Sequence, residues 1–173
     1  MGGKYSDVAN LVVTDSGEIL AVPLRRGHAG DAAFIDWVNF TVHADTCMVD
    51  QFWGGAVQCV TDDDHILAMS TQLEKIFGLR VTRKRAKGAN YYKASYDLGE
   101  NLGALICIGG QRNTILVSMS GKSLAAAKPG WEQRLHDWLT TVAIQPRITR
   151  ADLAHDVLDG SYYNVDMAFQ DYV

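Results

Sequence analysis

Two stretches of this chain combine residue types at spacings that could do chemistry. The first is RVTRKRAKGANYYK, residues 80–93. It holds Arg80, Arg83, Lys84, Arg85, Lys87 and Lys93, and no acidic residue. Cations at this density can neutralise several phosphates of a nucleic acid. Tyr91 and Tyr92 add rings on which exposed bases can stack. Gly88 lets the chain turn close to a backbone. The plainer reading of the same residues is a solvated, charged loop that follows a helix.

The second stretch is ITRADLAHD, residues 148–156. Side chains alternate between faces along a strand. Arg150, Asp152, Ala154 and Asp156 therefore share one face, and Leu153 and Val157 the other. Asp152 and Asp156 flank the small Ala154 and are candidates to hold a hard divalent ion, Mg²⁺ or Mn²⁺. Such an ion would polarise a phosphoryl group. Arg150 is a candidate phosphate contact through its fork of donors. The alternative is that Arg150 simply pairs with Asp152. His155 points away from that face if the strand is regular.

A third segment resembles a nucleotide loop but fails the test. Gly121-Lys122-Ser123 would end a GxxxxGK[ST] motif, yet Leu116 stands where the first glycine is required. Lys122 remains a candidate contact for a backbone phosphate.

Elements must position these residues. The 173 residues are 47% hydrophobic and 21% charged, which suits one folded domain with a polar surface. Sixteen Lys and Arg against 20 Asp and Glu give a net charge of -4. A uniformly basic coat is excluded, and binding to nucleic acid would be one-sided and salt-sensitive. Cys47, Cys59 and Cys107 form neither a disulfide framework nor a zinc motif. The first residues lack the apolar core of a secretory signal, and no apolar run is long enough to cross a membrane. A cytoplasmic location is expected.

Residues 1–33 read as an arm with a short hairpin around Asp15-Ser16-Gly17, and residues 34–173 as the main domain. FIDWVNFTVHA reads as a strand with Phe34, Val38, Phe40 and Val42 on its apolar face, and Asn39, Thr41 and His43 opposite. Thr61 or Asp62 caps a helix whose stripe is Ile66, Met69, Leu73 and Ile76, stopped by Gly78. Asp63 and Asp64 suit its first turn. Three strands follow, roughly 90–98, 102–109 and 114–120. A second helix starts after Pro129-Gly130, with Trp131, Leu135, Trp138, Leu139 and Val142 on one side. ITRADLAHDVL is the next strand, and a last short helix holds Val165, Ala168, Phe169 and Tyr172. The order β-α-β-β-β-α-β-α points to an α+β fold, mainly an antiparallel sheet with two or three amphipathic helices. The helices are expected on one face, leaving the other open.

Ile35 to Thr41, Gly109-Gly110, Leu116 to Lys122 and Ile148 to Asp156, taken in this order, resemble the replication initiation factor family. That family comprises rolling-circle initiators of filamentous phages and some plasmids. Arg150, Asp152, Leu153, Ala154 and Asp156 match its arginine, aspartate, leucine, alanine, aspartate strand. The resemblance spans roughly residues 34–160. It implies origin binding and metal-dependent nicking of one DNA strand by a tyrosine that stays joined to the 5′ end. It also implies origin DNA as partner, with a homodimer and host replication proteins beside it. In the family the tyrosine lies downstream, in a segment rich in Arg, Lys and Glu. This chain ends at Val173 before such a segment, and Tyr162, Tyr163 and Tyr172 do not match it. The expectation is therefore an N-terminal DNA-binding portion with Asp152 and Asp156 as a partial metal centre, and Asp36 as a weak third carboxylate. The competing expectations are a noncatalytic nucleic-acid-binding or regulatory module, and a protein-interaction domain.

Overall fold

The central strand is β3, Phe34–His43. Its alternation holds from Val38 onward: Val38, Phe40 and Val42 are buried, and Asn39, Thr41 and His43 lie on the opposite face. The computed structural model describes residues 9–13, 17–23, 34–48, 59–154 and 170–171. Strands β1 (Ala9–Val13) and β2 (Ile19–Pro23) pair antiparallel as a separate hairpin. The last helix, with Val165, Ala168, Phe169 and Tyr172, falls outside the described residues.

Helix α1 spans Asp62–Phe77. Thr61 caps it: its hydroxyl accepts from the Asp64 amide, while the Asp64 carboxylate accepts from the Thr61 amide at 2.8 Å. This reciprocal box satisfies otherwise orphaned amides. Gly78 ends the helix at φ 76°, a left-handed position that favours glycine. Strands β4 (Val81–Lys84), β5 (Ala94–Leu98), β6 (Ala104–Ile108) and β7 (Thr114–Ser120) follow. Then come a short helix α2 (Gly121–Ala125), helix α3 (Trp131–Thr141) and strand β8 (Arg147–Ala154).

The six strands form one antiparallel sheet in the order β4-β5-β6-β7-β3-β8. The fold is α+β, as the element pattern requires. One strand and one α-helix go beyond that pattern, and the strand expected over 90–98 begins only at Ala94. VTRK forms strand β4 within the basic run, and GKSLA forms α2 directly after β7.

Helices α1 and α3 lie on one face of the sheet. Ile66, Met69, Leu73 and Phe77 of α1 and Trp131, Leu135 and Trp138 of α3 pack against Phe40, Ile106, Ile115 and Val117. Phe40 meets Trp138 edge-on at 6.2 Å, and Phe77 meets Trp131 at 5.5 Å. A large apolar side chain fully buried this way stabilises by roughly 2 kcal/mol.

The pairing of β3 with β8 is irregular at two places. The register shifts between Ile35 and Trp37 and again between Asn39 and Phe40. The first shift leaves Asp36 as the extra residue, so Ile35 packs against the core. Simple alternation, which had put Phe34 there, fails at a bulge.

Candidate nucleic-acid interface

The registers align one row of residues across the face that the helices leave uncovered. Arg83 on β4 pairs with Asp97 on β5, Asp97 with Leu105, Leu105 with Ser118, Ser118 with Asn39, and Asn39 with Arg150 on β8. Arg83 and Arg150 thus mark the two edges of one face. Five interstrand steps separate them by about 24 Å.

At the first edge, Asp97 collects two arginines. Its Oδ2 accepts from Arg83 Nε at 3.0 Å and Nη2 at 2.8 Å, and Arg85 Nε lies 3.6 Å from its other oxygen. One carboxylate is thus shared by two guanidinium groups. Lys84 points to the other side of β4. Its ammonium reaches Asp63 at 3.0 Å and sits 5.3 Å over the Tyr96 ring. The buried Tyr96 hydroxyl donates to the same Asp63 oxygen at 2.5 Å. That hydrogen bond, followed by Lys84, holds the Asp63 carboxyl below the usual range. Burial first, and then Asp63, pushes the Tyr96 phenol up. Arg80 is tied to Glu74 on α1.

Beyond β4 the chain folds back over the open face. Residues 83–89 line an open groove of about 580 Å³. Glycine is required at 88, because a Cβ there would come within 1.9 Å of the Tyr92 carbonyl oxygen. The close approach is therefore to the loop's own backbone. Ser95 donates to the Lys87 carbonyl at 2.7 Å and fixes the loop's middle.

The two tyrosines have opposite fates. Tyr92 is buried, packs on Cys107 and Leu116 of the open face, and its hydroxyl bonds Thr114 Oγ1 at 2.7 Å. It anchors the loop, and its ring is covered. Tyr91 is 94% exposed. Lys87, Lys93 and Lys122 are also exposed. Lys122 sits on α2, past Ser120, at the end of β7 away from the loop.

At the second edge, Arg150 and Asp152 bond each other. Arg150 Nε donates to both carboxylate oxygens at 3.0 Å, and the guanidinium stacks 4.5 Å over the Trp37 ring. Trp37 Nε1 in turn donates to Asn39 Oδ1 at 2.7 Å. The Arg150 guanidinium holds the Asp152 carboxyl below its usual range. Asp156 lies outside the described residues, as do His155, Tyr162, Tyr163 and Tyr172. Among the described residues no three His, Cys, Asp or Glu side chains come together as a metal site. An ion at Asp152 would have to displace Arg150. Along a regular strand, positions 152 and 156 would be about 13 Å apart, so a shared ion also needs the chain to leave that geometry.

The helix side of β8 is different again. Ile148 and Ala151 line an apolar groove of about 360 Å³ with Leu135 and Leu139 of α3. The three cysteines are free and buried. Burial, reinforced by Cys59, pushes the Cys47 thiol up to about 12, which leaves it unreactive at neutral pH.

No family model and no curated protein matches this chain. Among solved structures it is similar to that of the rolling circle replication initiator protein from Geobacillus stearothermophilus, with a TM-score of 0.50 and 18% identity. The match covers 81% of this chain and 49% of the initiator, so the chain spans about half that protein's length. At this identity the likeness concerns the fold: this α+β sheet partly resembles that of a rolling-circle initiator.

Proposed function

We propose that this chain is a nucleic-acid-binding domain built on an initiator-like sheet, and that it grips DNA with the 80–93 end. One observation carries the reading. Asp97 gathers Arg83 and Arg85 on an exposed edge, beside the groove of residues 83–89 and the exposed Tyr91. Cations gathered at a braced, exposed edge suit phosphate contact, and the neighbouring ring suits a base. Origin DNA is the natural target of such a domain in a cytoplasmic replication setting, with a homodimer and host replication proteins as further partners.

Replacing Arg83, Lys84 and Arg85 together by alanine tests this. Affinity for DNA should fall, and the slope of log K against log salt should drop by about 1.4 to 1.8 for the two phosphate contacts of Arg83 and Arg85, Lys84 being turned to the other side. A wild-type protein without DNA affinity even at low salt would instead favour the protein-interaction reading, for which the apolar groove beside Ile148 is the candidate surface.

A divalent ion at Asp152 and Asp156, and with it nicking of one origin strand, is a separate proposal. DNA binding does not depend on it. Calorimetric titration with Mn²⁺ decides it: Asp152→Ala should weaken binding of the ion, and an unchanged titration of the folded variant would remove the site.

A further inference from the structure

The loop of residues 85–93 and the β6–β7 turn carry unusual backbone. Asn90 and Tyr91 are consecutive left-handed residues at φ 51° and 68°. In the β6–β7 turn, five consecutive residues from Gly109 to Asn113 have φ of 91°, 85°, 47°, 56° and 59°. Non-glycine residues rarely adopt such angles, and a bulky one there is strained. Strain of this kind persists only where the surroundings enforce it, and it clusters at functional sites.

Here the two loops enforce each other. The Lys93 amide donates to the Gly109 carbonyl at 3.0 Å, and Gln111 Nε2 donates to the Tyr91 carbonyl at 3.1 Å. Thr114 Oγ1 bonds both the Tyr92 hydroxyl and, at 2.8 Å, the Gln111 carbonyl. What this bracing displays is a nearly fully exposed ring, Tyr91, beside a turn that carries the exposed Arg112. Asp97 and Asp63 are engaged by Arg83, Arg85 and Lys84. No carboxylate of the described residues pairs with Arg112, Lys87 or Lys93. The GGQRN segment reads in sequence only as a turn, so Arg112 becomes a candidate through the fold alone.

We propose that Tyr91 and Arg112 form one nucleotide subsite for single-stranded nucleic acid. A base stacks on the Tyr91 ring, the adjoining phosphate meets Arg112, and Lys87 and Lys93 take neighbouring phosphates. This deepens the DNA-binding reading above and rests on it. Single-stranded substrate is favoured for two reasons. A ring on a projecting turn needs an open base face, which a paired duplex hides. On the α1 side, Asp62 lies against Gly109, its Oδ2 within 3.2 Å of where a Cβ would stand, with Asp63 and Asp64 beyond. A second strand approaching there would meet carboxylates.

Anisotropy titrations with a labelled oligothymidylate and a duplex of equal length test the subsite. The single strand should bind more tightly. Tyr91→Ala should weaken it roughly 10-fold, while Tyr91→Phe keeps the ring and the affinity. Arg112→Ala should lower the salt slope by about 0.7, one single-strand phosphate. Both side chains are exposed, so these variants keep the fold. Wild-type levels of binding by Tyr91→Ala and Arg112→Ala, with loss in the Arg83, Lys84 and Arg85 triple variant, would overturn the subsite and leave the wider interface standing. Tighter binding of the duplex would overturn the single-strand preference. No binding of either at low salt would overturn both.

Discussion

Two arginine–aspartate pairs stand at opposite edges of the same open face, and they differ in one respect that matters. Arg83 is held across strands by Asp97, and Asp97 is shared with Arg85. Arg150 is held along its own strand by Asp152, one to one, and is capped by the Trp37 ring. The first edge gathers two arginines and continues into a loop with further exposed cations. The second pair is matched one to one and covered by a ring, with the exposed Arg147 further along the same strand. Ion-pair geometry alone does not distinguish a binding edge from a structural one. What lies beside the pair does: a basic loop with an exposed ring at one edge, a covering indole at the other.

The largest expected effect breaks the first edge. With Arg83, Lys84 and Arg85 replaced by alanine, DNA affinity should fall by 10- to 100-fold at low salt, by the usual worth of a few phosphate contacts. Arg150→Ala in the same titration should change affinity by less than about twofold, because its charge is already matched. Equal losses in both would erase the contrast.

Next comes the anchor that holds the loop on the face. Tyr92→Ala should cost roughly 3 kcal/mol in urea unfolding, since it empties a buried ring site and removes the hydroxyl's bond to Thr114. Leu153→Ala, on β8 and 72% exposed, should stay within about 0.5 kcal/mol.

A smaller effect opens the second edge. Asp152→Asn frees Arg150 from its carboxylate and adds one unmatched cation to the face. DNA affinity should rise about two- to threefold, with little change in melting temperature. A fall in affinity would mean that Asp152 takes part in binding, as a metal ligand would.

The smallest effect is in acid. Asp63 is held low by the Tyr96 hydroxyl and by Lys84, and Asp152 by Arg150. A carboxyl with a depressed folded value contributes stability that is complete above its unfolded pKa near ~3.9. That contribution fades as pH falls through the lower folded value. Asp63→Asn should therefore lower stability slightly at neutral pH, where the charged carboxylate contributes, leave it unchanged well below both pKa values, and so flatten the acid limb of the stability curve.

Much of the scaffold was legible in local chemistry. Thr61, the acidic first turn and Gly78 delimit α1 because capping and left-handed stops are local events. The β3 alternation from Val38 to Val42 and the α3 stripe are periodic signals that burial follows. Arg150 and Asp152 were already alternatives, metal site or mutual pair, from their spacing of two. What escaped was short or long-range. VTRK has four residues, three of them exposed, so β4 shows no apolar alternation. Tyr91 and Tyr92 are adjacent and of one type; Thr114, 22 residues beyond Tyr92, is among the contacts that decide which ring is buried. The Asp36 bulge and the row from Arg83 to Arg150 exist only through register. Arg112 lies in a turn whose five positive φ angles no local residue pattern beyond the two glycines announces.

The most direct test of a binding edge facing a closed one is amide chemical-shift mapping with a short single-stranded oligonucleotide. Residues 83–93 and 110–113 should shift in a saturable, salt-sensitive way, while residues 147–154 stay in place. Shifts concentrated on 147–154, with 83–93 silent, would contradict the account.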